Sequence, residues 1–164
     1  MEYIVRKASS EDLIRIEEIY AYARSFMAET GNPNQWGKNH PPAGQLRQDI
    51  AEGTLHVIES ETGIHGVFFF RAGDDPTYAK IYEGQWHSDE AYGVIHRIAG
   101  DGSGGILKTA VRYAQSSCSH IRIDTHHDNQ VMQRALSKLG FKRCGIIYLE
   151  NGDPRIAYDR MGKL

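Results

Sequence analysis

A glycine-rich turn at residues 100–105 is the part of the sequence that points most directly to chemistry. Glycine occupies four of these six positions, between an apolar strand-like stretch and an amphipathic helical stretch that begins at Ile106. The first turn of a helix leaves backbone N–H groups unpaired at the positive end of the helix dipole. Because glycine has no Cβ, an anion can approach those groups closely. The turn therefore predicts a cradle for a phosphate or pyrophosphate, with a plain tight loop as the competing interpretation.

Two well-known phosphate loops fit this turn poorly. A Walker A loop needs a Lys-Ser/Thr pair after its last glycine, where this chain has Ile106 and Leu107. A Rossmann fingerprint needs an acidic residue about 20 positions further on. Asp124 lies in about the right place, but the strands before the turn look antiparallel, which does not suit a doubly wound sheet. A nucleotide-phosphate enzyme that uses the turn differently stays open as an alternative.

The elements that must position this turn follow from hydrophobic periodicity, glycine and proline. The segment from Gly31 to Gly44 holds three prolines and predicts a long surface connection. The pattern has no internal repeat or linker and predicts one α+β domain over 1–164. In chain order we predict strands over 2–8, 54–60, 63–73, 77–84, 91–99, 120–126, 144–150 and 155–160, and helices over about 11–27, 45–52, 106–114 and 129–141.

Together with "HRIA" at residues 96–99, the turn and the later block "IDTHHDNQVMQRALSKLGF" resemble the GCN5-related N-acetyltransferase (GNAT) superfamily. Its members commonly show a strand ending similar to "HRLAV", a glycine-rich pyrophosphate loop and a D-x-H-x-x-N … LGF block. The order of elements matches over nearly the whole chain, and the specific motifs cover residues 92–141. The resemblance implies a mixed central sheet of about seven strands with flanking helices. Its fourth and fifth strands are expected to splay apart and form a slot for acetyl-CoA.

The resemblance implies that backbone groups hold acetyl-CoA. Ile98 and Gly100 are expected to pair with the pantetheine arm, and a backbone N–H of Ile98 or Ala99 to hold the acetyl carbonyl. Asn129 matches the family asparagine that contacts the cofactor. The family's Gln or Arg before the loop glycines is missing, and Lys108 is the substitute cation. The residues expected around the pyrophosphate are Gly102, Ser103, Gly104, Gly105 and Ile106.

Proton transfer has three candidate residues. His96 is the first, because imidazole titrates near neutrality and because, two residues from Ile98, it shares a face with the thioester end of the slot. A histidine at the matching place occurs in arylalkylamine-type acetyltransferases. Glu83 is the rival base, acting through water. Leu136 replaces the tyrosine that serves many family members as general acid, so either Tyr148 substitutes or the thiolate leaves unassisted.

Each of these candidates also has a purely structural interpretation. His96 fits a half-buried strand histidine that only hydrogen-bonds a neighbour, and Glu83 fits an ordinary solvated charge. Several aromatic residues suit either an acceptor pocket or the core. The proline-rich loop around Trp36 is the candidate lid. The aromatic candidates for the acceptor pocket are Trp36, Tyr78, Tyr82, Trp86 and Tyr92.

No metal site and no disulfide is predicted. The stretch "DTHHD" at residues 124–128 holds ligand-type side chains, but on a strand Asp124 and His126 share a face from which His127 points away. Cys118 and Cys144 lack CxxC spacing, which favours free thiols over a thiolate zinc site.

Composition narrows the class of protein. The chain has 164 residues, 40% hydrophobic and 24% charged, with a net charge of −2. This composition is typical of a globular domain and gives no reason to expect nucleic acid or anionic lipid as a partner. No apolar run is long enough to cross a bilayer, and residues 1–13 lack a secretory pattern, so we expect a cytoplasmic protein.

The sequence thus predicts an N-acetyltransferase that moves the acetyl group of acetyl-CoA directly to a primary amine in a ternary complex. The amine belongs to a small molecule or a peptide, and a monomer and a homodimer are both open. The alternative is a non-catalytic acyl-CoA binding or sensing module, which the missing tyrosine and the irregular glycine loop favour.

Overall fold

The computed structural model describes residues 2–164 and contains one seven-stranded sheet with helices on both faces. The strand order is β1-β2-β3-β4-β5-β7-β6. The strands are β1 (Ile4–Lys7), β2 (Leu55–Ser60), β3 (Gly63–Ala72), β4 (Gly93–Gly100), β5 (Ile121–Thr125), β6 (Lys142–Tyr148) and β7 (Pro154–Arg160). The helices are α1 (Leu13–Glu29), α2 (Ala43–Glu52), α3 (Ile106–Gln115) and α4 (Gln130–Lys138), with short 3-10 helices at Ser10–Asp12 and Pro76–Tyr78.

The two halves of the sheet meet at one short parallel pairing. Strands β1 to β4 form an antiparallel meander, and β5, β7 and β6 are also antiparallel to their neighbours. Between the halves, β4 and β5 are paired only at Gly93–Ile121 and Val94–Arg122. Beyond these two pairs the strands separate, which confirms the predicted splay in a mixed sheet of seven strands.

The helices cover the two faces of the sheet with their apolar sides. The α1 residues Ile16, Ile19 and Tyr20 are buried together with residues of α2, β2 and β3. On the other face, Ile106 and Ala110 of α3 pack with residues of β3, β4 and β5. These apolar stripes follow the 3.6-residue helical period, which is why they could be found in the sequence.

The predicted strand over 77–84 is wrong. Asp75 instead caps a 3-10 turn at Pro76–Tyr78, because its carboxylate accepts hydrogen bonds from the N–H (2.9 Å) and the hydroxyl (2.6 Å) of Thr77. Only Tyr82 makes an isolated bridge, to Ile146. The segment between β3 and β4 therefore crosses the β5–β7–β6 half as a loop.

None of the helices within residues 2–164 combines the length and the apolar character that crossing a membrane requires.

Leu136 belongs to the core and not to the site. Its side chain is fully buried with Phe141 in the cluster under α3 and α4. Replacing Leu136 with Ala leaves a cavity there and is expected to lower the free energy of unfolding by about 2–5 kcal/mol in urea denaturation. Ile14→Ala, at a position that is 79% exposed, is the control and should change it by less than about 0.5 kcal/mol. A Leu136→Ala protein as stable as the Ile14→Ala protein would contradict this placement.

Candidate functional site

A cavity of about 1000 Å³ opens where β4 and β5 separate. Its walls come from the α1–α2 loop, α2, the ends of β3 and β5, the middle of β4 and the β6–β7 hairpin. Ile98 is the last β4 residue on its wall, so the glycine turn lies just beyond the cavity along the chain. The cavity therefore lies beside the β4 residues whose edge towards β5 is free of strand pairing.

His96 projects into this cavity and is held by a carboxylate. Its Nε2 lies 2.7 Å from Oδ2 of Asp75, and its Nδ1 lies 3.8 Å from Oδ2 of Asp124, beyond hydrogen-bond distance. The same Asp124 oxygen accepts a hydrogen bond of 2.6 Å from the hydroxyl of Tyr78. The four side chains form a row, Asp75–His96–Asp124–Tyr78, at the edge of the cavity.

The pKa shifts in this row show that Asp75 is deprotonated and that Tyr78 keeps its proton. Burial alone would raise the pKa of Asp75, but hydrogen bonds from His96 and Thr77 hold it well below its ordinary value. Asp75 is therefore an anion that accepts the Nε2–H of His96, an assignment that follows from the hydrogen-bond network. Burial, followed by the charge of Asp124, raises the pKa of Tyr78 well above its usual range, so Tyr78 is a neutral donor. Nδ1 of His96 has no hydrogen-bond partner among residues 2–164.

A β-bulge places the backbone of β4 next to this row. Val67 of β3 is paired with Ala99, but Phe69 is paired with His96, so β4 contains one extra residue. Arg97 lies in the bulge with a φ of +49°. Its carbonyl accepts a hydrogen bond of 2.7 Å from the hydroxyl of Tyr20. The bulge changes the direction of the β4 edge at the point where the slot opens.

The predicted glycine turn joins β4 to α3. Gly102 has a φ of +96°, and a Cβ there would meet the hydroxyl oxygen of Tyr22 at 2.8 Å. Gly105 precedes the first helical residue and also has a positive φ, +81°. The backbone N–H groups that begin α3 at Ile106 have no carbonyl partner within the helix. The structure thus places the predicted anion cradle at a helix N-terminus.

Asp101 organises the turn from within. Its carboxylate accepts hydrogen bonds from the backbone N–H of Ser103 (3.0 Å) and from Arg15 (3.0 Å), and it lies 2.9 Å from Nδ1 of His65. Burial alone would raise the pKa of Asp101, but its hydrogen bonds from Ser103 and His65 lower it. The Ser103 N–H is therefore engaged inside the turn. The remaining predicted N–H groups are those of Gly102, Gly104, Gly105 and Ile106. The carbonyl of Gly104 accepts a hydrogen bond from the hydroxyl of Tyr3.

Asn129 lines the cavity at the start of α4. Its Oδ1 accepts a hydrogen bond of 3.0 Å from the N–H of Met132, which makes Asn129 the N-cap of the helix. Its Nδ2 donates to Oε1 of Gln35 at 3.0 Å. Asn129 thus connects the start of α4 to the α1–α2 loop.

Two of the proposed catalytic residues lie elsewhere. Glu83 is exposed in the loop between β3 and β4 and does not line the cavity. Tyr148 is 45% exposed and packs edge-on against Tyr82, with ring centroids 5.3 Å apart. The structure therefore separates both from His96.

The aromatic residues divide between the cavity and the core. Trp36 lines the cavity and packs edge-on against Tyr20, with ring centroids 5.5 Å apart. Trp86 and Tyr92 enclose the guanidinium of Arg122 at 4.1 and 3.9 Å from their ring centres. Of the aromatic acceptor candidates, only Trp36 contributes to the cavity wall.

Positive charge on the cavity wall is the main feature that the sequence did not reveal. Arg155 is 7% exposed, and within residues 2–164 no carboxylate lies within 4 Å of its guanidinium. It donates one hydrogen bond of 2.9 Å to the carbonyl of Pro154. Burial, and then the charges of Arg97, Arg155 and Arg24, lower the pKa of His40 across the cavity. A strand arginine next to a hairpin has no recognisable motif, so only the fold reveals it.

Solved structures similar to this chain are acetyltransferases. A GNAT-family acetyltransferase from Streptococcus agalactiae has 28% sequence identity and a TM-score of 0.86, with 99% of this chain and 96% of that chain covered. A GNAT-family acetyltransferase from Listeria monocytogenes has 21% identity and a TM-score of 0.70, covering 98% and 95%. A phosphinothricin acetyltransferase from Sinorhizobium meliloti in complex with AcCoA has 16% identity and a TM-score of 0.64, covering 99% and 90%. No protein-family model and no curated protein matches the sequence.

The depressed pKa of Asp75 makes a prediction about stability in acid. A carboxyl group whose pKa is lower in the folded state than in the unfolded state stabilises the fold. This stabilisation is complete at pH values well above the ordinary pKa of 3.8 and declines as the pH falls below 3.8. Asp75→Asn is expected to lower the free energy of unfolding by about 1–3 kcal/mol near pH 6, because a charged hydrogen bond is lost. The deficit should shrink towards pH 2.5 in urea denaturation.

The exposed neighbour Asp74 supplies the control. Asp74→Asn should leave stability within about 0.5 kcal/mol at both pH values. An Asp75→Asn deficit of equal size at pH 6 and pH 2.5 would contradict the assignment of Asp75 as the anionic partner of His96.

Proposed function

Because this chain belongs to the GCN5-related N-acetyltransferase superfamily, we propose that it transfers the acetyl group of acetyl-CoA directly to an amine, with His96 as the base. The observation that carries this proposal is the separation of β4 from β5 directly before His96, next to a cavity of about 1000 Å³. The free edge of β4 offers backbone groups to an extended thioester arm, and the cavity offers space for an amine.

The residues at the slot fit acetyl-CoA on two counts. A pantetheine arm carries amide groups, which suit the β4 edge from Ile95 to Gly100 as an added strand would. The positive helix terminus at Gly104–Ile106 suits the pyrophosphate. Lys108, in the first turn of α3, adds positive charge to this end of the slot, and Arg15 offsets the negative charge of Asp101 there.

In the proposed reaction, the amine nitrogen attacks the thioester carbonyl carbon and the carbon–sulfur bond breaks. The amine proton goes to Nδ1 of His96, while Asp75 holds the other ring nitrogen. The charge that the ring acquires then faces Asp124 at 3.8 Å. A backbone N–H of Ile98 or Ala99 polarises the carbonyl. The thiolate leaves without a side-chain acid, since Leu136 is in the core and Tyr148 is outside the cavity.

A thiol-release assay over a panel of amines tests the function. Acetyl-CoA should protect the protein from thermal unfolding, and at least one amine should release CoA thiol together with an equal amount of acetylated amine. Tight acetyl-CoA binding without transfer to any amine would favour the acyl-CoA sensing module instead. Protection by a mononucleotide but not by acetyl-CoA would overturn the assignment of the slot.

Replacing His96 tests its role in the reaction. His96→Ala is expected to lower kcat by about 100-fold or more at each pH between about 6 and 9, with little change in the KM for acetyl-CoA. His127, an exposed histidine next to the start of α4, supplies the control His127→Ala, which should keep the activity. Full turnover of His96→Ala over this pH range would remove His96 as the base.

The position of Arg155 supports an amine that also carries an acidic group. Along β7, Ile156 packs in the core under α3 and α4, while Ala157 packs with Tyr78 on the other face. Since side chains alternate along a strand, Arg155 shares the face of Ala157, on the side of Asp124 and the α1–α2 loop. A buried arginine without a carboxylate partner is costly unless a ligand supplies the anion. A carboxylate or phosphonate on the acceptor would do so.

Substrate selectivity tests this assignment. Arg155→Met should raise the KM for an amino acid at least about 10-fold while changing the KM for the matching simple amine little, because one charged contact is lost. Arg71→Met, at an exposed arginine on the same cavity wall, is the matched control. An equal effect of Arg155→Met on both amines would contradict the role of Arg155 in binding an anion.

A further inference from the structure

Three side chains outside the cavity bring a nitrogen, a sulfur and an oxygen together. Nδ1 of His87 lies 2.7 Å from Oδ1 of Asp159 and 3.2 Å from Sγ of Cys144, and all three donor atoms lie within 4.8 Å of one another. His87 belongs to the loop before β4, Cys144 to β6 and Asp159 to β7. None of them lines the cavity at the slot.

The cluster does not have the geometry of a Cys-His-Asp catalytic triad. In a triad, one ring nitrogen of the histidine faces the nucleophile and the other faces the carboxylate. Here the thiol and the carboxylate both approach the same nitrogen, Nδ1 of His87. A nitrogen, a sulfur and an oxygen within 4.8 Å of one another are close enough to share a bound cation.

A second set of contacts holds the carboxylate in place. The other oxygen of Asp159, Oδ2, accepts a hydrogen bond of 2.9 Å from the backbone N–H of His87 and lies 3.0 Å from Nε2 of the fully buried His120. Nδ1 of His120 lies 3.3 Å from the carbonyl of Glu90. Metal-binding carboxylates are oriented by such outer partners, so Oδ1 of Asp159 is left to face His87 and Cys144.

We propose that Nδ1 of His87, Sγ of Cys144 and Oδ1 of Asp159 bind a zinc-type divalent cation, with water as the fourth ligand. One nitrogen, one thiolate and one carboxylate suit Zn²⁺ or Co²⁺ better than the hard cations Mg²⁺ and Ca²⁺. Tetrahedral zinc separates a nitrogen and an oxygen donor by about 3.3 Å and a nitrogen and a sulfur donor by about 3.6 Å. The His87–Asp159 contact of 2.7 Å would therefore open by about 0.6 Å and the His87–Cys144 contact of 3.2 Å by about 0.4 Å. The His87 side chain is 43% exposed, which gives ion and water access.

Metal binding at this site releases protons and changes no oxidation state. The cation replaces the thiol proton of Cys144 and the proton shared between His87 and Asp159, and both protons go to solvent. The site connects the loop between β3 and β4 to the β6–β7 pair. The same loop carries Asp75 and Tyr78 of the row at His96, so the metal would stabilise the loop without touching the reactants.

Cobalt and zinc titrations of the full chain, dialysed first against a chelator, test the site. One equivalent of Co²⁺ should bind and give a thiolate-to-metal charge-transfer band, and one equivalent of Zn²⁺ should raise Tm. Cys144→Ser should abolish the band, and His87→Gln should weaken Zn²⁺ binding at least about 100-fold. Because His87 is half-exposed, His87→Gln reports on the site even if the Cys144 variant does not fold. Protection by acetyl-CoA, followed in the same samples, shows that each variant is folded and tests the slot separately.

Two variants at other groups serve as controls. Cys118→Ser removes the second free thiol. His127→Ala removes the exposed member of the group His126, His127 and Asp128, whose donor atoms also lie together. Both should keep the band and the Zn²⁺ affinity. Each of three results would overturn the proposal. The first is binding of less than about 0.1 equivalent of metal, and the second is a charge-transfer band that survives in Cys144→Ser. The third is a loss of metal binding in His127→Ala but not in His87→Gln.

Discussion

The parallel pairing of β4 with β5 ends after two residue pairs, Gly93–Ile121 and Val94–Arg122, and the site depends on that ending. The unpaired backbone groups beyond it would be costly if they were buried without partners. A ligand with its own amide groups can supply those partners. The bulge at Arg97, held by Tyr20 and Asp49, changes the direction of the strand at the same place. The two halves of the sheet are thus joined at two residue pairs and open beyond them, beside the cavity.

The second constraint is the burial of charge around His96. A histidine beside a buried carboxylate keeps a defined tautomer, because the anion accepts one ring N–H. Asp75 is held as an anion by hydrogen bonds from both Thr77 and His96, so its negative charge does not depend on the histidine alone. Asp124 then stands opposite the free nitrogen, while Tyr78 satisfies its oxygen. Two different carboxylates therefore face the ring: Asp75 orients it through Nε2, and Asp124 lies opposite Nδ1, the nitrogen that would take up a proton.

Features encoded in short stretches of sequence could be predicted, and features built from distant residues could not. The apolar stripe of α3, the glycine turn before it and the end of β4 are encoded within consecutive residues, and the structure places each of them where the periodicity predicts. Residues 77–84 look similar to a strand in sequence, but Asp75 caps a 3-10 turn at Pro76–Tyr78, and a cap depends on one side chain. The partner of His96 escaped prediction because it lies 21 positions earlier, in that turn. His87, Cys144 and Asp159 lie up to 72 positions apart and are brought together only by the order β5-β7-β6.

A crystal structure of the protein with bound acetyl-CoA measures the central claim most directly. We expect the pantetheine arm along β4 between Ile95 and Gly100, the pyrophosphate at the N–H groups of Gly104–Ile106, and the acetyl group on the same side as His96. A thioester bound away from the opening, or strands β4 and β5 paired beyond Val94 and Arg122 with no space between them, would contradict it.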